Sequence, residues 1–160
     1  MSGIQTWRLV SVIAVVAGVI GYAVLSGVWV STDAAWYQSL TKPAWQPPSW
    51  VFGIIWPYNF VALAAVGGLI AWRAPRASVV VLLVFLAVSI VCALAWAYLF
   101  YVPHSLTGAA IALSAAALTT VPVLVVAFQT TWLFGVVLLP YQIWVILAAS
   151  LSWGYLSLNA

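Results

Sequence analysis

Charge is what this sequence has least of. Only 3% of its 160 residues are Asp, Glu, Lys or Arg, and a single acid, Asp33, stands against four basic residues. Soluble domains carry about 25% charged residues, so water is not the main solvent for this chain. The few cations are not clustered, which excludes a nucleic-acid surface because such surfaces neutralise phosphates with many Lys and Arg.

Reactive side chains are equally scarce, and their absence limits the possible chemistry. One carboxylate excludes paired-carboxylate catalysis, and one cysteine, Cys92, with one histidine, His104, excludes a Cys/His zinc cluster. Cys92 has no second cysteine for an intramolecular disulfide. We expect no metal site and no obligatory cofactor. His104 beside Pro103 is interpreted as a loop residue, with haem-iron ligation as the alternative.

Apolar residues fill the space that charges leave. They make up 68% of the sequence, and residues 77–160 contain no charged side chain, a stretch far longer than one crossing of about 20 residues. Short polar segments divide the chain into continuous apolar runs, which favours helices over alternating barrel strands. We predict an all-α integral membrane protein, a five-transmembrane-helix bundle in one domain over residues 1–160. The predicted spans are residues 8–30, 50–72, 77–102, 105–128 and 132–158.

The segment between the first two predicted spans is rich in tryptophan and proline. Pro43, Pro47 and Pro48 stiffen it by fixing φ. Its aromatic residues, at positions 36, 37, 45 and 50, can fold back onto the mouth of the bundle. We predict that this first loop is a lid over a cavity; a structural cap without a ligand is the alternative.

Aromatic side chains also recur at helical spacing inside the spans. Trp56 with Phe60, and Trp144 with Ala148, are four residues apart and share a helix face. A third stripe contains Ala93, Trp96 and Phe100. Such stripes either line a pocket for a flat macrocycle or form the bundle core. The amide of Asn59 lies among them, and we expect it to hydrogen-bond a neighbouring helix.

These segments resemble the hallmark of the TspO/translocator protein family, also called tryptophan-rich sensory proteins or peripheral benzodiazepine receptors. The resemblance extends over the whole chain and its five-span layout. The matching motifs are Trp36-Tyr37, Lys42-Pro43-Ala44-Trp45-Gln46-Pro47-Pro48, Gly53-Ile-Ile-Trp56 and Pro140-Tyr141-Gln-Ile-Trp144.

The resemblance implies a hydrophobic pocket beneath the first loop that takes porphyrins and similar flat lipophiles. Two positions depart from the family pattern, since Ala93 and Ser152 stand where many relatives carry Asn, which makes the pocket more apolar. The expected ligand-binding residues are Tyr37, Pro47, Trp56, Phe60, Ala93, Trp96, Phe100, Trp144, Ala148 and Ser152.

The function that we expect is therefore a membrane receptor or sensor that binds a porphyrin or haem-type tetrapyrrole for sensing, sequestration or transport. One alternative is a light-dependent porphyrin-degrading enzyme in which Trp56 and Trp144 are redox-active. A second alternative is a structural or accessory membrane subunit. Besides the ligand, the expected partners are membrane lipid and a second copy of the chain, because pairs of small residues such as Ala17 and Gly21 permit close helix approach.

The basic residues predict the orientation of the chain. Arg8, Arg73 and Arg76 fall on one side of the five-span layout, whereas Lys42 and Asp33 fall on the other. The excess of Arg predicts a cytoplasmic N-terminus. The resemblance to bacterial relatives implies a prokaryotic cytoplasmic membrane.

Overall fold

Six helices form in the part of the chain that the computed structural model describes, residues 3–30 and 32–160. They are α1 Gly3–Val30, α2 Ala34–Ser39, α3 Ser49–Arg73, α4 Arg76–Tyr101, α5 Leu106–Thr130 and α6 Trp132–Asn159. Five of them, all except α2, are long and apolar enough to cross a membrane. The predicted all-α membrane bundle is confirmed.

The predicted boundaries need small corrections. Helix α1 begins at Gly3 rather than at residue 8, and α5 continues to Thr130 rather than stopping at residue 128. Helix α2 was not predicted at all. It forms because the carboxylate of Asp33 accepts a hydrogen bond from the backbone N–H of Trp36 at 2.9 Å, which caps the first turn. Ser31, where the predicted polar loop begins, lies outside the described residues.

Prolines mark several of the helix ends. Ala74, which precedes Pro75, adopts an extended conformation with φ −75° and ψ 160°, as residues before proline prefer. Helix α3 therefore ends at Arg73 and α4 begins two residues beyond Ala74. Pro57, by contrast, lies within α3, where neighbouring helices can compensate for the missing backbone donor.

The five long helices form a closed ring in which each contacts its two neighbours. Their order around the ring is α1, α3, α6, α5 and α4. The buried side chains face the inside of the ring, among them Val15, Leu63, Leu82 and Leu113. This order places α3, α4 and α6, which carry the predicted aromatic stripes, around one interior.

The first loop, residues 32–48 and called the lid below, folds over one end of the ring and docks on α6. The backbone of Thr41 exchanges two hydrogen bonds with the Asn159 amide, at 2.8 and 3.0 Å. The indole N–H of Trp45 donates to Ser150 Oγ at 3.3 Å. Gly154 leaves room for the approach, since a Cβ there would lie 2.7 Å from Pro43 Cγ. The expected folding of Trp50 onto the mouth does not occur, because its side chain is 66% exposed.

Candidate functional site

Aromatic side chains inside the ring gather at two depths beneath the lid. We define the inner cluster as Tyr22, Phe52, Trp56, Phe60 and Trp144. We define the outer cluster, nearer the lid, as Trp36, Tyr37, Trp96, Phe100, Tyr101 and Tyr155. Six of the ten predicted site residues belong to these clusters. A seventh, Ser152, hydrogen-bonds Trp96 of the outer cluster.

The inner cluster has two indole rings set at right angles. Trp56 and Trp144 meet edge to face, with centroids 6.3 Å apart and planes at 88°. Phe60 stacks on Trp56 at 5.5 Å, as their four-residue spacing predicts. Tyr22 of α1 contacts Phe60 edge to face at 5.1 Å, and Phe52 contacts Trp144 in the same way at 5.1 Å. Rings from three helices thus pack against one another by face and by edge, the two geometries that a flat aromatic ligand can also adopt.

The outer cluster joins α4 and α6 to the lid. Phe100 lies 6.0 Å from Trp96, 5.2 Å from Trp36 and 6.4 Å from Tyr37, measured between ring centroids. Tyr155 of α6 completes the group at 5.5 Å from Phe100. Trp96 packs against this cluster and against the main core as well, so it connects the two depths.

Three polar side chains close the lid over the outer cluster. The hydroxyl of Tyr155 donates to the amide oxygen of Gln46, and the hydroxyl of Tyr37 lies 3.2 Å from that of Tyr155. The Gln46 amide N–H donates to Tyr37 at 3.3 Å. Lys42 lies over the Tyr37 ring, 5.3 Å from its centroid. The lid is therefore held by polar contacts at its edge and by the packing of Trp36 and Tyr37 on the outer cluster.

Ser152 has a defined role in this geometry. Its hydroxyl accepts a hydrogen bond from the indole N–H of Trp96 at 2.9 Å. Because that bond joins α6 to α4, it fixes the plane of the Trp96 ring. The hydroxyl at this position thus orients an aromatic wall from within the protein.

The remaining predicted residues lie around the clusters and make no ring contact of their own. Ala93 is buried in the main core one turn below Trp96, and Ala148 is half-buried against the same core one turn above Trp144. Pro47 is half-buried in the lid. The structure therefore brings the aromatic residues together and places these three on the border of the site.

Two buried polar groups lack partners in the described part of the chain: the amide of Asn59, which precedes Phe60 on α3, and the indole N–H of Trp144 in the inner cluster. Asn59 is fully buried, and within the described residues neither of its amide atoms has a hydrogen-bond partner. The side chain of Trp144 is 6% exposed, and its indole N–H also lacks a partner among those residues. The prediction that Asn59 hydrogen-bonds a neighbouring helix is thus wrong. Burying an amide without a hydrogen bond costs about 1–3 kcal/mol, so both groups would gain from a partner that entered the site.

The histidine lies at the lid, where it packs instead of facing the inner cluster. His104 has a left-handed φ of 56°, stacks on the Trp36 ring with centroids 3.9 Å apart, and places Nε2 3.5 Å from the Asp33 carboxylate. The sole acid of the chain thus caps α2 and pairs with the sole histidine. These contacts favour the interpretation of His104 as a loop residue that positions the lid.

Sequence reasoning missed several members of the two clusters. Phe52 precedes Trp56 by four residues and Tyr155 follows Ser152 by three, so helical spacing alone could have placed both on the site-facing stripes. Tyr22 gave no such signal, because its contact depends on α1 lying beside α3. Tyr101 gave no such signal either, although its ring lies 4.9 Å from that of Phe100.

Comparison with known proteins gives one consistent family. Residues 10–158 match the model of the TspO/MBR family. The chain is 31% identical to the protein CrtK of Rhodobacter capsulatus over 131 residues, which cover 81% of this chain and 82% of that protein. It is 27% identical to the tryptophan-rich protein TspO of Bacillus cereus over 87% of this chain and 90% of that one. It is 29% identical to a tryptophan-rich sensory protein of Cereibacter sphaeroides over 78% and 77%.

Proposed function

Because the chain belongs to the TspO/MBR family, whose model matches residues 10–158, we propose that its aromatic site binds a porphyrin or a similar flat tetrapyrrole. The protein is an integral membrane protein of the sensory or receptor type. The proposal adds the class of ligand and the place where it binds. Uptake of such a ligand would serve sensing, sequestration or transport.

The main support for the proposal is the inner cluster, together with the unpartnered amide of Asn59 and the unpartnered indole N–H of Trp144. The perpendicular rings of Trp56 and Trp144 can meet a macrocycle with one face and one edge, which are the two favoured aromatic geometries. The amide of Asn59 can bond a polar edge of the same ligand. A bundle core that only had to pack would gain stability from an apolar residue at that position.

The lid provides a route of entry. Several of its contacts with α6 are hydrogen bonds at a partly exposed edge, such as those of Trp45 and Thr41. Each such bond contributes about 0.5–1.5 kcal/mol. Opening the lid would break these bonds and the packing of Trp36 and Tyr37 on the outer cluster, while the ring of helices stays intact.

Quenching of tryptophan fluorescence by protoporphyrin IX tests the proposal on the purified full-length protein in detergent. We expect saturable quenching whose apparent affinity weakens by about fivefold or more when Trp56 and Trp144 are both changed to Ala, because each aromatic contact contributes about 0.5–1.5 kcal/mol. Trp132→Ala is the matched control, since this side chain is 68% exposed at the opposite end of the bundle. Quenching that does not saturate, or that the double variant leaves unchanged, would contradict the proposal.

A light-dependent porphyrin-degrading activity is the second candidate. It is favoured by the contact between Trp56 and Trp144, which would place two oxidisable indoles beside a photo-excited ligand. Illumination of the complex in air should then consume porphyrin faster than in detergent alone, and Trp144→Phe should reduce the difference. Equal rates with and without protein would exclude this activity.

The orientation of the chain is also part of the proposal. Arg8, Arg73 and Arg76 all lie at the end of the bundle opposite the lid. This excess of Arg supports our proposal that this end and the N-terminus face the cytoplasm of a prokaryotic cell. A periplasm-active reporter fused to the C-terminus, which lies at the lid end, should be active. Activity of a cytoplasm-only reporter at that position would reverse the orientation.

A further inference from the structure

A cavity lies at the end of the bundle opposite the lid. It occupies about 520 Å³ between the turn that joins α3 to α4 and the turn that joins α5 to α6. Its polar lining comes from both turns. The lining includes Arg73, Pro75, Ser78, Gln129, Thr131 and Phe134.

A groove continues from this cavity along the outside of the bundle. It occupies about 410 Å³ between α4 and α5, and its walls are mainly valines with Pro122. Ser78 and Gln129 line both the cavity and the groove, so the two volumes adjoin. From Gln129 to Val121 the groove follows about eight residues of α5, which is roughly 12 Å at 1.5 Å per residue. The polar end is at the helix termini and the apolar end is inside the span.

The cavity carries a positive charge that no acid of the chain neutralises. The sole acid, Asp33, lies at the lid end, where it pairs with His104. Arg76, the next cation along the chain, lies over the Trp7 ring with its guanidinium carbon 4.7 Å from the centroid. Arg73 therefore lacks a counter-ion and faces the cavity alone.

Further hydrogen-bonding groups surround the same volume. In the described part of the chain, the side chains of Ser78, Gln129 and Thr131 have no hydrogen-bond partner. Helices α4 and α6 begin beside the cavity, and their N-cap residues, Pro75 and Thr131, provide no side-chain cap. The first backbone N–H groups of both helices are thus unbonded, and the positive ends of two helix dipoles add to the charge of Arg73.

We propose that the cavity and groove together bind an anionic phospholipid. The headgroup phosphate would lie in the cavity beside Arg73, Ser78 and Gln129, and an acyl chain would lie in the groove. The exposed indoles of Trp72 and Trp132 place this end of the bundle at the membrane–water interface, the depth at which headgroups lie. An apolar groove open to the side of a membrane bundle is within reach of acyl chains, and the uncompensated cation selects lipids with net negative charge.

Lipid titration followed by native mass spectrometry tests the site on the full-length, delipidated protein. Phosphatidylglycerol should bind roughly fivefold more tightly than phosphatidylcholine, because one cation at an anionic headgroup contributes about that factor. Arg73→Gln should abolish the preference. Arg8→Gln is the matched control, because it removes an equal charge from the same end but from outside the cavity, and it should keep the preference.

A second pair of variants tests the groove without touching any charge. Val125 and Val136 are similarly exposed, 47% and 45%, but only Val125 lines the groove. Val125→Trp should weaken the binding of both lipids because it fills the acyl-chain site, whereas Val136→Trp should leave their binding unchanged. Glycerol 3-phosphate, which lacks acyl chains, should not compete.

Three results would overturn the assignment. The first is equal binding of the two lipids, and the second is an unchanged preference in Arg73→Gln. The third is competition by glycerol 3-phosphate at the concentration of the lipid, which would make the cavity a simple anion site.

Discussion

Replacing Asn59 by Leu should stabilise the protein while weakening its ligand. Asn59 is fully buried and neither amide atom has a partner within the described residues. Leu has the same branching with two methyl groups in place of the polar atoms, so the variant removes a desolvation cost of about 1–3 kcal/mol. The larger size of Leu reduces the gain, since overpacking of a tight site can cost about 1 kcal/mol or more. A net gain of about 1 kcal/mol corresponds to a rise of roughly 2–4 °C in Tm for a chain of this length.

The effect of Asn59→Leu on ligand affinity should be opposite to its effect on stability. Loss of one hydrogen bond from Asn59 to the ligand should weaken protoporphyrin binding by about three- to tenfold. Thermal unfolding in detergent and fluorescence titration measure the two effects on one sample. Thr120→Val is the matched control, because this buried hydroxyl already donates to the Ala117 carbonyl at 2.8 Å and lies outside both clusters. A fall in Tm with unchanged affinity in Asn59→Leu would refute the reasoning and make the amide a structural group.

Two further predictions concern the lid and the association of chains. Gly154→Ala should push the lid outward, because the new Cβ would lie 2.7 Å from Pro43 Cγ. Stopped-flow mixing should then show that porphyrin enters and leaves the protein faster. Unchanged rates would mean that the lid does not control access. We propose that the chain forms a homodimer through the face of α1 that carries Gly21. Gly21→Leu should then give a monomer in detergent, because a side chain there meets nothing within 4 Å of its own bundle and would block a second copy. Light scattering measures the mass, and Gly53→Leu, also in open space, should leave it unchanged. A dimer that survives Gly21→Leu would place the interface elsewhere.

The overall fold could be predicted because the signals that define it are local. Continuous apolar runs and the polar or proline-containing segments between them determine five spans, and Pro57 and Pro140 lie inside α3 and α6 without interrupting them. Helix α2 escaped prediction because six residues are too few to show a period, and its start depends on the Asp33 cap. The short helix also packs its aromatics on α4, a contact that local sequence does not encode.

The candidate site was predictable to the extent that it follows helical spacing. The four-residue spacing of Trp56 and Phe60 indicates a shared face, and the structure stacks the two rings. Contacts between helices are different, because they depend on the order of the ring. The approach of Tyr22 to Phe60 and the missing partner of Asn59 are both consequences of how α1, α3 and α6 meet, and each appears only in three dimensions.

A structure of the protein with protoporphyrin IX bound would test the central claim most directly. The proposed function predicts the macrocycle inside the ring beneath the lid, in contact with the rings of Trp56 and Trp144 and with a polar edge at Asn59. A macrocycle on the outer surface of the bundle, with the inner cluster still closed as it is here, would contradict it.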